Sequence, residues 1–420
     1  MTAMKLAELI IAKTKEIINS IAFKDFARKH SSFFTRNHKM PFEDLMFFML
    51  LHLKCSIPTS LRRFFEKKGT KTTMAQQSLS EAREKVNATA FKHLFDESVK
   101  ITVENRNETW NGYRVYAVDG TKIALPDGKK LLKHYGGSGK NATSPTAQGS
   151  ALYDVLNDTL IDVAMEPLSV GERTLAEGHI SALKALPTGN KDLLTYDRGY
   201  PSFDFIKLHE SEGLYYLMRV KSKFNTEIDA QTKSDGYVWL EKEGERIHVR
   251  VIKFLLDSGE MEMLITNITD KRLGKNAFKK LYFKRWPIET KYGVIKEKLH
   301  VESFSSTSIE GVQQEFFATM YMVNLVAATA FDAQAEVEEA RKNKDNKHDY
   351  KVNLNELIGI LKDKLITAVF ETCPTKQSDI MNEIINGAKR YVIPIRHDRS
   401  VPRNPNPRKT KFHHNRKTNC

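Results

Sequence analysis

Three acidic residues stand where a metal-dependent active site would need them. Asp119 follows a predicted strand at residues 113–118, Asp197 follows another at 193–196, and Glu289 lies in a helical stretch. Catalytic side chains of α/β folds emerge from strand ends into the crevice beyond the sheet. Two Asp and one Glu form an oxygen set that suits Mg²⁺ or Mn²⁺. Two such ions about 4 Å apart can activate a water or a 3′-hydroxyl and stabilise the leaving oxygen, so the acids indicate phosphoryl transfer.

The segment around Glu289 adds cations and a tyrosine at helical spacing. At 100° per residue, Glu289 and Lys296 lie within about 20° of each other on one helical face. An unbroken helix would bring Arg285 and Tyr282 to the same face, which would suit gripping a phosphate beside the scissile bond. Pro287 lies inside this stretch, so we expect it to kink the helix or to begin a new one. The alternative is an ordinary solvated face, where scattered charge usually lies.

Composition favours a cytoplasmic protein that binds a polyanion. The 420 residues carry a formal net charge of +14, with 40% hydrophobic and 28% charged residues, as in a globular protein whose first candidate partner is nucleic acid. The three cysteines form no CxxC pair, which excludes a disulfide framework and a cysteine-built zinc site. The N-terminus lacks the apolar core of a signal peptide. The longest charge-free apolar stretch, residues 316–331, is shorter than the ~20 residues that cross a bilayer, so we expect a buried helix and no membrane segment.

The N-terminal residues 1–105 have the pattern of a helical region. Two short predicted helices on either side of Gly69 are compatible with a helix-turn-helix that binds DNA. One face of the second helix carries three polar residues: Gln76, Ser80 and Arg83. Gln and Arg are the side chains that read adenine and guanine edges in the major groove. The alternative is an ordinary amphipathic surface helix.

The rest of the chain divides into five predicted segments. They are the mixed strand and helix segment 106–220, the β-rich segment 221–270, the helical segment 271–335, two further helices in 336–395, and a tail at 396–420. Apolar runs predict the strands of these segments, and longer periodic patterns predict their helices.

Two basic features are further candidates for contact with nucleic acid. The tail at 396–420 has eight Lys or Arg against one acid, so it cannot bury a core and is expected to be disordered. Its cations would neutralise phosphates without reading sequence, and the alternative is a solubilising end with no further role. Arg198, next to Asp197, either touches DNA or pairs with a carboxylate.

Four motifs resemble those of one family. The spacing Tyr282–x2–Arg285–x3–Glu289–x6–Lys296 resembles the YREK signature of a group of bacterial insertion-sequence transposases. Residues 116–121 (YAVDGT) and 197–200 (DRGY) resemble the segments around the first and second catalytic aspartates of that group. Residues 151–155 (ALYDV) and 171–173 (GER) are also similar to its usual sequence. The similarity covers about residues 40–335.

This resemblance implies a mixed α/β fold. A ribonuclease-H-like catalytic core would be interrupted by the β-rich insertion at 221–270, with a helical DNA-binding region before it and a helical and basic tail after it. Asp119, Asp197 and Glu289 match the catalytic metal ligands of the family, which would hold two Mg²⁺ ions, with Mn²⁺ as a substitute. Tyr282, Arg285 and Lys296 match its phosphate-contacting positions.

The activity that the resemblance implies is cut-and-paste transposition. The enzyme would cleave double-stranded DNA at the terminal inverted repeats of its element and join the freed ends to target DNA. Two ends must be cut together, which implies a homodimer in a synaptic complex on the bacterial nucleoid. Three alternatives stay open: a nuclease of the same fold that does not join ends, a domesticated non-catalytic DNA-binding protein, and a scaffold that binds RNA through its tail.

Overall fold

The computed structural model describes residues 4–36, 39–51, 55–189, 191–256, 259–344 and 348–396, and the chain forms two compact units. The helical unit comprises Met1–Ser98, Ile295–Ser305 and Glu310–Cys420. The sheet unit comprises Val99–Val294 and Ser306–Ile309. The sheet unit is therefore nearly continuous in sequence, whereas the helical unit combines both ends of the chain.

The helices and strands are numbered in chain order. The helices are α1 (Leu6–Asn19), α2 (Ile21–Ala27), α3 (Phe42–Leu50), α4 (Ile57–Lys68), α5 (Gln76–Arg83), α6 (Ala88–Asn105), α7 (Lys129–Tyr135), α8 (Glu172–Lys184), α9 (Phe203–Ser211), α10 (Thr226–Ala230), α11 (Lys275–Phe283), α12 (Pro287–Gly293), α13 (Ile309–Arg341), α14 (Leu354–Phe370) and α15 (Pro374–Arg390), with a π-helical turn at Val294–Lys298. The strands are β1 (Tyr113–Ala124), β2 (Gly137–Ser138), β3 (Ser144–Asp154), β4 (Thr159–Pro167), β5 (Lys191–Tyr196), β6 (Tyr215–Val220), β7 (Asp235–Lys242), β8 (Glu245–Leu255), β9 (Met261–Thr266), β10 (Tyr350–Val352) and β11 (Val392–Pro394).

One mixed sheet organises the sheet unit. Its strand order is β4-β3-β1-β5-β6-β9-β8-β7, with the short β2 also paired to β3. The pairs β4–β3 and β3–β1 are antiparallel, whereas β1–β5 and β5–β6 are parallel. This arrangement of the first five strands is that of a ribonuclease-H-like core, so the fold class expected from the sequence is confirmed.

The central strands show no alternation of apolar and polar residues because both faces of the sheet are covered, and the buried Arg114 of β1 pairs with Asp154. The first six residues of β1, Tyr113 to Val118, are all buried, and so are residues 193–196 of β5. Continuous apolar runs of this kind are typical of strands that lie between two layers. Phe278, Leu281 and Tyr282 of α11 belong to the core cluster that covers one face. The sequence immediately before Glu289 is thereby fixed to the sheet.

The strands expected in residues 221–270 are present, but they do not stand apart from the core. Strand β9 pairs antiparallel with β6, so β7, β8 and β9 extend the main sheet. Ile252, Phe254 and Leu264 join the same buried cluster as β1 and α11. This apolar packing explains why the β-rich insertion at 221–270 continues the sheet of the core.

The helical unit unites regions that the sequence analysis treated as separate. Both carboxylate oxygens of Asp332, in α13, accept hydrogen bonds from backbone N–H groups in the first turn of α1, at 3.0 and 3.2 Å. The Lys5 ammonium pairs with Glu336 at 2.6 Å, and Thr14 contacts the Tyr321 hydroxyl at 2.8 Å. Residues of 271–335 and 336–395 therefore belong with the N-terminal helices, because α13 supplies the N-terminal cap that α1 lacks.

Helix α13 contains the buried apolar helix predicted at residues 316–331. Within the described part of the chain it is the one helix long and apolar enough to span a membrane, but 78% of its most apolar window is buried inside the protein. Of the predicted basic tail, only Arg396 lies within the described residues.

Candidate active site

The parallel pairing of β1 and β5 places two aspartates side by side. Tyr116 pairs with Leu194 and Ala117 with Thr195, so the same register, continued by two residues, sets Asp119 beside Asp197. Adjacent strands lie about 4.8 Å apart, which brings the two carboxylates together. The sequence predicted that Asp119 ends its strand, but in the structure it lies inside β1. Strand β1 continues to Ala124 because β3 goes on supplying hydrogen bonds beyond the point where β5 stops.

Arg285 connects this aspartate pair to the third acid. Its Nη1 lies 3.6 Å from Oδ2 of Asp119, and its Nη2 lies 3.5 Å from Oε1 of Glu289. Pro287 begins a new helix, α12, as the sequence allowed, and this helix presents Glu289 to solvent. Arg285 therefore contacts Asp119 and Glu289, and Asp197 lies close enough to Asp119 for its charge to affect the pKa of that residue.

The pKa of Asp119 reflects its burial and the nearby carboxylates. The pKa of Asp119 is raised to about 6, mainly by burial and also by the negative charges of Asp197 and Glu289, against the opposing effects of Arg285 and the Gly120 N–H. Carboxylates that repel one another in this way are suited to bind a divalent cation, because its positive charge would favour their ionised forms. Within the described residues, no three His, Cys, Asp or Glu side chains are gathered closely enough to hold a metal ion.

Short hydrogen bonds fix the backbone that carries the two aspartates. The Tyr292 hydroxyl donates to the Asp119 carbonyl at 2.6 Å, and the Gly120 N–H donates to Oδ1 of Asp119 at 3.0 Å. The Gly199 N–H donates to Oδ1 of Asp197 at 2.7 Å. Such contacts hold a functional side chain in place without taking all of its oxygen atoms.

A buried chain of hydrogen bonds lies behind Asp119. Asp162 lies 2.7 Å from Nδ1 of His179, and Nε2 of His179 lies 2.9 Å from the Ser150 hydroxyl. Ser150 is in turn 3.4 Å from the Asp119 carbonyl. The order Ser, His, Asp is that of a hydrolase triad. All three residues are buried, however, so the Ser150 hydroxyl is closed to a substrate and the chain supports the strand under Asp119.

Residues 110–325, just over half of the chain, match the family described as the transposase DDE domain. The chain belongs to this family. No curated protein matches the sequence. Among solved structures, the chain is similar to the cryo-EM structure of the piggyBac transposase synaptic complex with hairpin DNA, at 10% identity and a TM-score of 0.49, over 89% of this chain and 85% of that one. A similarity of this size carries no functional argument.

Two of the predicted phosphate-binding residues of the DDE domain lie in the sheet unit. Arg285 is buried, and its Nε and Nη1 have no hydrogen-bond acceptor among the described residues. The contact of Tyr282 with phosphate stays a prediction. Its ring is buried in the core cluster with the Arg285 guanidinium 5.8 Å from the ring centre, and burial raises its pKa to about 12. In this structure Tyr282 supports Arg285.

Lys296, the third predicted phosphate contact, belongs to the helical unit. It lies on the π-helical turn, where its ammonium pairs with Glu302 at 3.4 Å. The prediction that Glu289 and Lys296 share one helical face requires an unbroken α-helix between them. A π turn has i→i+5 hydrogen bonds and a wider coil, so 100° per residue does not apply beyond Val294.

The N-terminal DNA-reading face differs from the prediction. Gln76 and Ser80 are exposed on α5, but Arg83 is buried and pairs with Glu315 at 2.9 Å. Arg83 therefore cannot read a base from this position. Residues 69–75 between α4 and α5 also form a longer connection than the three or four residues of a helix-turn-helix.

Arg198 is exposed immediately after Asp197. Burial raises the pKa of Glu262, and the charge of Arg198 is among the effects that oppose this rise. Its contact with DNA stays a prediction. The sequence analysis missed other parts of the site, notably Tyr292 and the Ser150–His179–Asp162 chain. Their sequence signal is weak because a buried Tyr, Ser or His has many ordinary structural roles.

Proposed function

We propose that this protein is the transposase of an insertion sequence in the YREK-signature group. It would cleave double-stranded DNA at the terminal inverted repeats of its element and join the freed ends to target DNA. The observation that carries this proposal is the gathering of Asp119, Asp197 and Glu289 around Arg285 inside a transposase DDE domain.

The three acids have the chemistry to hold two Mg²⁺ ions, or Mn²⁺ in their place. Such ions supply activation of the attacking oxygen and stabilisation of the leaving oxygen. Asp119 and Asp197, fixed on neighbouring strands, define one side of the site, and Glu289 on α12 defines the other. Tyr292 and the Gly120 and Gly199 N–H groups keep the two aspartates in position.

Arg285 is suited to bind the DNA phosphate. Two of its buried nitrogen atoms, Nε and Nη1, lack an acceptor within the described part of the chain, and a phosphate oxygen would satisfy them. With the carboxylate charges balanced by cations, the guanidinium would be released from its long contacts with Asp119 and Glu289. Its charge would then be directed at the scissile phosphate.

The test uses the DNA that flanks the gene. The purified full-length protein is incubated with Mg²⁺ or Mn²⁺, duplexes that carry those flanking repeats, and a target plasmid. Cleavage at the repeat ends and strand-transfer products are expected, and Asp119→Asn and Glu289→Gln should abolish both. A pre-cleaved repeat end separates the alternatives. Cleavage of intact ends without joining of pre-cleaved ends would identify a nuclease, and binding without cleavage would identify a non-catalytic DNA-binding protein.

We also propose that the protein acts as a homodimer in a synaptic complex, since both element ends must be cut together. The mass of the complex with repeat-end DNA, measured by light scattering, tests this. Two chains with two DNA ends are expected, and one chain per end at all concentrations would contradict it.

A further inference from the structure

A fourth carboxylate lies against the backbone next to Asp119. Glu172 is in the first turn of α8, and its Oε1 lies 3.4 Å from Nε2 of the buried Gln148. A Cβ atom on Gly120 would lie only 2.5 Å from this oxygen and 2.9 Å from the Gln148 amide nitrogen. The absence of a side chain at Gly120 therefore creates the space that the Glu172 carboxylate occupies.

The loop that carries Asp197 is tied to the same helix. Nε of Arg173 donates to the Tyr200 carbonyl at 2.9 Å, which connects the first turn of α8 to the segment that follows Asp197. Burial raises the pKa of Glu172, and the charge of Asp197 raises it further. Glu172 thus lies beside Gly120 on one side and within the electrostatic reach of Asp197 on the other.

A second observation points to a missing partner at this place. Tyr200 is 1% exposed, and its hydroxyl has no hydrogen-bond partner within the described part of the chain. Burial raises its pKa, and the charges of Glu172, Asp119 and Asp197 raise it further. A buried hydroxyl beside several carboxylates normally has a partner, so an unpartnered one indicates that a water or ligand completes the cluster.

We propose that Glu172 is a fourth acidic ligand of the divalent cation held by Asp119 and Asp197, with Gln148 orienting its carboxylate. This proposal rests on the proposed function, since it places Glu172 in the same metal site. A glutamate in the first turn of a helix also interacts favourably with the helix dipole. That structural role would affect stability but would not change the affinity for a metal ion.

The experiment measures Mn²⁺ binding to the full-length protein without DNA, by electron paramagnetic resonance. Four proteins are compared: the wild type, Glu172→Gln, Asp119→Asn, and the control Glu177→Gln, which removes an exposed charge from the same helix. We expect Glu172→Gln to raise the Kd for Mn²⁺ at least tenfold, Asp119→Asn to raise it more, and Glu177→Gln to leave it within twofold.

Wild-type affinity in Glu172→Gln, together with a loss in Asp119→Asn, would overturn this proposal alone. Unchanged affinity in both would overturn the metal site of the proposed function as well. Circular dichroism and thermal melts confirm that each variant is folded.

A second variant displaces the carboxylate without changing any charge. Gly120→Ala puts a methyl group where Oε1 of Glu172 lies, so it should also weaken Mn²⁺ binding. In a Glu172→Ala background the same change should have a much smaller effect, because the displaced group is already gone. Equal losses in both backgrounds would show that Gly120 acts independently of Glu172 and would contradict the proposal.

Discussion

Arg83 in the helical unit and Arg285 in the sheet unit are equally buried, at 7% exposure each, but their guanidinium groups are in opposite situations. Arg83 donates to Glu315 at 2.9 Å and to the Gly311 carbonyl at 2.8 Å, with further bonds to Gln314 and Ser305. Arg285 has carboxylate contacts at 3.5 and 3.6 Å, and two of its nitrogen atoms have no acceptor among the residues that the structure describes.

Buried N–H groups that lack an acceptor cost free energy, so natural proteins retain few of them. Arg83 has used its hydrogen-bonding capacity to join helices and is a structural residue. Arg285 keeps part of its capacity unused beside three carboxylates, which is the state expected of a residue that awaits a ligand. Two arginines with the same burial can therefore be assigned different roles, structural or ligand-binding, by counting their hydrogen-bond partners.

Arg83→Ala should have the largest effect on stability. It leaves Glu315 buried without its cation, which typically costs about 3–5 kcal/mol of unfolding free energy. Urea denaturation followed by circular dichroism measures the change. The control is Arg62→Ala, which breaks an exposed pair with Glu66 and should cost no more than about 0.5 kcal/mol. Equal losses in the two variants would contradict a structural role for the Arg83 pair.

Arg285→Ala should show the reverse pattern. Removal of one preorganised donor from a transition state typically lowers the rate about 10²–10³-fold, equivalent to about 2.7–4 kcal/mol. We expect that loss in cleavage of repeat-end DNA, measured in single-turnover assays. The unfolding free energy should fall by less than it does in Arg83→Ala, since the contacts of Arg285 with carboxylates are long. A severe loss of stability with near-normal cleavage by the folded fraction would reverse our assignment.

The pH dependence of stability sharpens the description of the site around Arg285. The pKa of Asp119 is about 6 in the folded protein, above its ordinary 3.8, so the folded state binds more protons between these values. The unfolding free energy should therefore fall as pH rises from about 4 to 6, by at most about 3 kcal/mol. Asp119→Asn should show a smaller fall, since Glu172 and other acids with a raised pKa still contribute, and the exposed control Glu66→Gln should keep the whole of it. Parallel curves for Asp119→Asn and the wild type would contradict the crowding of the acids.

Ser150→Ala should have the smallest effect of this series. It removes a buried hydroxyl from the chain that supports Asp119, at a cost of about 1 kcal/mol of unfolding free energy and less than a tenfold loss of cleavage. The control is Ser181→Ala, an exposed serine on α8. A loss of activity as large as that of Asp119→Asn would mean that Ser150 takes part in the chemistry.

The parts of the fold that depend on local pattern could be predicted from the sequence. The apolar runs before Asp119 and Asp197 predicted two strands. Because these strands pair in parallel, the aspartates that follow the two runs come to lie side by side. Pro287 marked the start of a helix because its ring is compatible only with the first turn. These features involve residues that are neighbours in sequence or follow a regular repeat.

The remaining features depend on partners far away in the chain. Arg83 on α5 could not be distinguished from a DNA-reading arginine, because Glu315, which buries and neutralises it, lies 232 residues later. Glu172 drew notice only as part of the segment 171–173 that is similar to the family's sequence, and its approach to Gly120 follows from the packing of α8 on the sheet. The π-helical turn that contains Lys296 has no sequence pattern that separates it from an α-helix.

The distribution of the helical unit over both chain ends has a consequence for synthesis on the ribosome. Helix α1 is capped by Asp332 and anchored by Glu336, which emerge from the exit tunnel more than three hundred residues after it. The nearly continuous stretch Val99–Val294 can complete its sheet while translation is still in progress. A ribosome that stops early would therefore release a folded catalytic sheet attached to an unfinished amino-terminal bundle.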